Sequence, residues 1–242
     1  MENKQYGVKS TVKNYFIDLL FMTIQNKKLF IFDLDGTLVD TAPDFKNSIN
    51  YMLNELNESE VSLEEIRNWV GYGARELIRR TVVDKNIPHD EQRIEEMLKI
   101  FLLHYTHNID DDSVLFNNVR NVLEFLKDNG IKLAVCTNKM ERLSNILLEK
   151  LNVLHMFDYL VGGDSLSKSK PDPYPLLNIC EKLNTEISDS IMIGDSVTDL
   201  NAGKGAGMPV VLVSYGYTDN KDIYNEADLV INDFSQLKEL VN

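Results

Sequence analysis

Two aspartates stand two residues apart where an apolar run ends, Asp33 and Asp35 in LFIFDLDGTLVDTAPDF. Extended backbone points residues i and i+2 to the same side, so both carboxylates can enter one pocket. One can then attack an electrophile while the other trades protons, the division of labour that covalent and acid–base catalysis require. Taken alone, the pair reads as readily as the polar end of a strand, because Asp is a common turn residue. Three further groups carry the same ambiguity. Thr137 and Asn138 offer a hydroxyl and an amide that can donate to oxyanions, yet both are ordinary helix caps. Lys170, in the run Lys170-Pro171-Asp172-Pro173, offers a compact cation on a proline-stiffened loop, or simply a solvated lysine before a helix. Asp195 and Asp199 lie four apart in GDSVTD. They share the positive end of a helix if one starts between them, and otherwise read as a cap and a surface carboxylate.

The elements that must position these groups follow from hydrophobic periodicity. Residues 29–33 read as a short buried strand closed by a Gly36 turn. From Phe45 the period becomes helical, with Ile49, Met52, Leu53 and Leu56 recurring at three- and four-residue spacings. Further helices are expected at 62–69, 73–83 and 90–107, with no strand between 45 and 107. Past the polar stretch 108–113, helix and strand alternate. Helices are expected at 119–128, 140–151, 174–183 and 197–206, and strands at 131–136, 159–161, 190–193 and 209–213, with a closing strand and helix from Leu229. Such alternation implies a parallel sheet covered on both faces, with the helical block inserted after the first strand. Open sheets of this kind bind ligands beyond the carboxyl ends of their strands.

All four groups fall, in order, at the ends of successive expected strands. This ordered set, Asp33-Leu34-Asp35-Gly36-Thr37, Thr137, Lys170, and Asp195 with Asp199, resembles the haloacid dehalogenase superfamily of phosphotransferases. The resemblance runs from about residue 28 onward. It implies an α/β fold: a Rossmann-like, doubly wound parallel core from residues 28–44 and 114–242, and an inserted all-helical cap, 45–113. Residues 1–27 are then an N-terminal extension. By the same resemblance, Asp33 is the nucleophile that forms an aspartyl phosphate, and Asp35 is the acid for the leaving alkoxide and then the base for water. Neighbouring negative charge would favour the protonated form that Asp35 needs. Thr137 and Lys170 hold the phosphoryl oxygens, Asn138 assists, and Thr37 and Gly36 shape the turn.

Charge counting shows why a metal is expected. Ionised Asp33, Asp195 and Asp199 beside a phosphate dianion place about five negative charges against the single positive charge of Lys170. Mg²⁺ suits such an all-oxygen site. The resemblance makes Asp33, the backbone carbonyl of Asp35, and Asp195 its ligands, with Asp199 in support. The presence of Asp35 weighs against dehalogenase chemistry.

The strings DTAPDF, VGYGARELIRR, GGDSLSKSKPDPYPLL and SYGY together look like the phosphoglycolate phosphatases. One departure is Asn117-Asn118, where that group often has Pro-Gly. In the cap, Gly71 and Gly73 permit close backbone approach before a helix whose N-terminus, with Arg75 and with Arg79 one turn on, can receive a small carboxylate. A flexible turn flanked by surface arginines is the plain alternative. The expected activity is Mg²⁺-dependent hydrolysis of 2-phosphoglycolate. The alternatives are the same chemistry on another small phosphate (sugar phosphate, nucleotide or pyrophosphate), a phosphomutase, or a non-catalytic phospho-acceptor.

Composition narrows the partners. With 25 basic residues against 38 acidic ones, the net charge of −13 repels nucleic acid and anionic membranes. An anionic substrate must therefore be met by a local cation. The segment 15–24, YFIDLLFMTI, is too short to span a bilayer and is interrupted by Asp18. It also lacks a small-residue cleavage site. Only Cys136 and Cys180 are present, without metal or disulfide-scaffold spacing, which points to a reducing cytoplasm. The four histidines, His89, His104, His107 and His155, show no ligand spacing. A start at Met22 is one reading of the N-terminus, and a monomer or homodimer is expected.

Overall fold

The computed structural model describes residues 24–241, so the N-terminal extension and the Met22 start lie almost wholly outside the described residues. Strand β1 (Leu29–Phe32) leads through a tight turn to the two-residue strand β2 (Val39–Asp40). Four helices follow: α1 (Ala42–Glu55), α2 (Leu63–Trp69), α3 (Ala74–Asp84) and α4 (Glu91–His107). The chain returns through β3 (Val114–Leu115) and then alternates. The order is α5 (Val119–Asp128), β4 (Lys132–Cys136), α6 (Glu141–Lys150), β5 (Tyr159–Val161), α7 (Tyr174–Lys182), β6 (Ser190–Gly194), α8 (Val197–Ala206), β7 (Val210–Val213) and β8 (Leu229–Ile231). Short 3-10 turns occupy Leu154–Met156, Ile187–Asp189, Lys221–Asn225 and Phe234–Leu240.

Six strands form one all-parallel sheet in the order β5-β4-β1-β6-β7-β8. The chain winds from β1 outward in both directions, so the switch point lies at β1, between β4 and β6. That is where a crevice opens in a doubly wound sheet. Alternation along β1 sorts the core into two layers. Phe30 and Phe32 face α5, α6 and the C-terminal 3-10 turn, whereas Leu29 and Ile31 face α7 and α8. β1 is fully buried on both sides, which is why its sequence is a continuous apolar run.

The inserted helices build their own apolar layer, continuous with the Phe30/Phe32 side. α1 packs on α2 and α4, and α3 on α4. Phe45, Phe101 and Tyr105 stack with ring centroids 4.7 to 6.2 Å apart. The pattern expected from sequence for this block, helices without a strand, is the one observed. The antiparallel pairing of β2 with β3 is the element that periodicity missed, since two residues carry no period. Asp44 reinforces that return by accepting hydrogen bonds from Asp112 N (3.0 Å), Ser113 N (2.8 Å) and Ser113 Oγ (2.6 Å). Asn118 sits at φ 66° before α5. Asn tolerates this left-handed conformation almost as Gly does, which accounts for Asn where Pro-Gly was the expected pattern.

Candidate active site

The four signalled groups converge at the carboxyl ends of β1, β4 and β6, and Lys170 reaches them from the loop before α7. Asp33 follows β1 directly and is buried, its N–H donating to Ile193 O at 2.9 Å. Lys170 Nζ lies 2.8 Å from Asp33 Oδ1 and 2.6 Å from Asp199 Oδ1, with all three side chains almost wholly enclosed. Although burial opposes its charge, Asp199 and Asp33 hold the Lys170 ammonium protonated well above the ordinary lysine value. Asp199 is committed on both oxygens. Oδ2 accepts from Ser196 Oγ (2.6 Å), Ser196 N (3.1 Å) and Asp195 N (3.3 Å), while Oδ1 takes Lys170. It caps α8 and holds Lys170.

Asp195 Oδ2 accepts from Tyr217 N at 2.7 Å. The backbone crowds this carboxylate closely. Gly36, at φ 85°, has no room for a Cβ, which would collide with Asp195. Any side chain there would meet both a disfavoured φ and a filled space.

Asp33, Asp195 and Asp199 bring carboxylate oxygens within 4.8 Å of one another. Three buried carboxylates facing one ammonium leave the site short of positive charge. Burial, despite the pull of Lys170, pushes Asp33 up to about 7, and burial with Asp199 pushes Asp195 well above the carboxylate range. An all-oxygen, acid-rich donor set of this kind fits a hard divalent cation. Asp33 and Asp195 would hold it, and its charge would keep both carboxylates ionised.

Asp35 turns to the other side of the same turn. Its Oδ1 accepts from Thr41 Oγ1 (2.8 Å) and from Lys139 Nζ (3.0 Å). Asp33 brings neighbouring negative charge to Asp35, and a buried ammonium that the sequence did not indicate is its nearest charged partner. Lys139 also donates to Tyr105 OH at 2.6 Å and lies over the rings of Phe45 (4.2 Å) and Tyr105 (4.7 Å). Burial lowers the Lys139 ammonium from its usual value, and Asp35 partly restores it. Sequence reasoning passed over Lys139, although it directly follows Thr137-Asn138. Tyr217, the last residue of the SYGY string, was given no role there; its OH accepts from Thr41 N (2.7 Å) and Ala42 N (3.0 Å) and donates to Asp40 Oδ1 (2.8 Å).

Asp33, Asp35, Thr137, Asn138 and Lys139 line one wall of a cleft, and the inserted helices supply the opposite wall. Gly71, Gly73 and Ala74 approach from the insertion, and Asn138 Nδ2 bridges the two sides by donating to Gly71 O (2.8 Å) and Lys170 O (3.0 Å). Arg75 and Arg79 do not reach this cleft. Arg75 pairs with Glu95 and Glu91, and Arg79 pairs with Glu91 at 2.7 Å, on the outer side of α3 and α4. Their expected role as carboxylate receivers is not what the geometry offers. The acidic run at the start of α4 outcompetes the cleft for both guanidinium groups.

This arrangement has close parallels. The profile of haloacid dehalogenase-like hydrolases matches residues 30–213. A phosphoglycolate phosphatase of Nitrosospira multiformis is 36% identical over 216 residues, spanning 88% of this chain and 95% of that protein. Another, from Psychrobacter arcticus, is 40% identical over 202 residues, spanning 82% and 88%. The solved structure of a phosphoglycolate phosphatase predicted in Haemophilus somnus 129pt superposes with a TM-score of 0.85 at 34% identity, covering 89% of this chain and 98% of that one. From site geometry, fold and sequence together, the chain belongs to the haloacid dehalogenase-like hydrolase family.

Proposed function

We propose that this protein is a Mg²⁺-dependent phosphatase acting on 2-phosphoglycolate, releasing glycolate and phosphate. The observation that carries the reading is the buried triad Lys170, Asp33 and Asp199, of which Asp33 opens with Asp35 on one cleft. Asp33 attacks phosphorus, the P–O ester bond breaks, and its electron pair leaves on the alkoxide oxygen, which takes a proton from Asp35. Water then attacks the aspartyl phosphate. The bond from phosphorus to the Asp33 oxygen breaks, and the water proton passes to Asp35. Thr137 and Lys170 meet the phosphoryl oxygens as charge moves onto them. Asp33, the Asp35 carbonyl and Asp195 would hold Mg²⁺, which would supply charge neutralisation there.

Residues 45–113 act as a cap in this reading, supported by the shared cleft and by the Asn138–Gly71 contact. The cleft encloses only about 30 Å³, which suits a short ester better than a nucleotide. Phe45, Val70, Leu77, Phe101 and Leu143 make the part of the cleft away from Thr137 and Asn138 apolar. Cys136 and Cys180 are both buried free thiols, in keeping with a reducing cytoplasm, and among the described residues no helix is long and apolar enough to cross a membrane.

The test is a panel of phosphate esters assayed with and without magnesium. Phosphoglycolate should head the panel in kcat/KM, and turnover should vanish on chelation. A sugar phosphate or nucleotide turned over far faster than phosphoglycolate would overturn the substrate.

A further inference from the structure

The displaced arginines leave a question of charge. A phosphoglycolate molecule carries a carboxylate as well as its phosphate, and burying an unpaired carboxylate in an apolar cleft is costly. Lys139 is the one cationic side chain lining the cleft among the described residues. It is enclosed, 6% exposed, and its ammonium is aimed inward between Asp35 and the Phe45 and Tyr105 rings. Across from it, α3 begins at Gly73 with no side chain capping its first turn, and Gly73 and Ala74 line the same cleft. Unclaimed N–H groups at that end favour a negative group.

We infer that Lys139, facing the uncapped start of α3, receives the carboxylate of the substrate and sets the preference for short acid-tailed phosphate esters. The inference rests on the phosphoglycolate reading. The ammonium has three donors, of which Asp35 and Tyr105 take two, so a carboxylate can join Asp35 on the third. Thr137, Asn138 and Tyr105 share the walls with Phe45, Leu77 and Phe101, and Lys139 is the lining group that answers a single anionic tail. A second phosphate would bring two negative charges to that one ammonium. Lys170 is not among the residues that line the cleft and is assigned to the phosphoryl group beside Asp33.

The experiment compares phosphoglycolate with ethyl phosphate, which has the same heavy-atom spacing without the carboxylate, in wild-type protein and in Lys139→Met. The ratio of the two kcat/KM values is internal to each preparation, so partial misfolding cancels. The wild type should prefer phosphoglycolate by about 100-fold, and the variant by less than about 5-fold. Should the variant turn over too slowly to assay, calorimetric binding of 3-phosphonopropionate against propylphosphonate reads the same preference without chemistry. A variant that keeps the wild-type preference in either measurement overturns the role of Lys139 and leaves the substrate untouched. A wild type with no preference for the carboxylate overturns the substrate reading and the lysine with it.

Discussion

Two sets of charged side chains flank the cleft, and they behave as opposites. At the sheet ends Lys170 and Asp199 are 1% and 0% exposed, and each group touches two or more charged or hydrogen-bonding partners. On the inserted helices Arg79 and Glu91 are 40% and 68% exposed and meet in solvent. A buried charge survives only with partners arranged around it, so its position is over-determined, whereas an exposed pair contributes little and can be rearranged. The comparison teaches that charge near a cleft is a poor guide to function unless burial accompanies it. Lys139, buried on the same loop as Thr137, belongs with the first set.

The contrast can be broken most sharply at Asp33. Asp33→Asn keeps the shape and removes the proposed nucleophile, so magnesium-dependent turnover of phosphoglycolate should fall by at least about 10⁴-fold. Steady-state assays that find that activity intact would remove Asp33 from its assigned place. Next in size is Lys170→Met, which strands Asp33 and Asp199 in the interior. Urea unfolding of the metal-free protein should show a loss of about 3–5 kcal/mol. A loss below about 1 kcal/mol would mean that the triad is hydrated rather than enclosed.

Proton linkage gives a third test. The folded-state value of Asp33 is raised from 3.8 to about 7, so the folded protein holds the extra proton between those limits. In the metal-free protein the cost of ionising Asp33 is absent below pH 3.8, grows up to about 7 and is complete above it, so this contribution makes stability fall as pH rises through that window. A cation needs the carboxylate, so magnesium added at pH 6.5 should release protons, read as a buffer-dependent calorimetric heat. Asp33→Asn should reduce that release, and a heat identical in all buffers would contradict the linkage. The smallest effect belongs to Arg79→Gln. Stability should change by less than about 1 kcal/mol in urea melts, and turnover of phosphoglycolate by less than about 2-fold. A large loss of turnover would restore the arginine to the substrate.

Much of the fold was legible because it repeats a local period. β5 and the helices α5 and α8 begin and end at the residues that periodicity marked, and the other boundaries of the alternating region shift by one residue. The β2–β3 ribbon escaped because pairing across 75 residues leaves no trace in two-residue strands. The site was legible where strand ends carried unusual residues, at Asp33, Thr137 and Asp195, whereas Lys170, expected at a strand end, lies nine residues beyond β5 on the loop before α7. Lys139 escaped because its partner Asp35 lies 104 residues away and nothing local distinguishes a buried lysine from a solvated one.

By itself the sequence determined which groups can attack, transfer a proton and neutralise charge, and the strand ends on which they sit, because reactivity and strand periodicity belong to residues and their near neighbours. Only the tertiary structure decided where the long flexible cations point. Arg75 and Arg79 turn outward to Glu91 and Glu95 on α4, and Lys139 turns inward to Asp35 and Tyr105. A side chain with several rotatable bonds goes to the nearest opposite charge that packing presents, and that neighbour comes from a distant part of the chain.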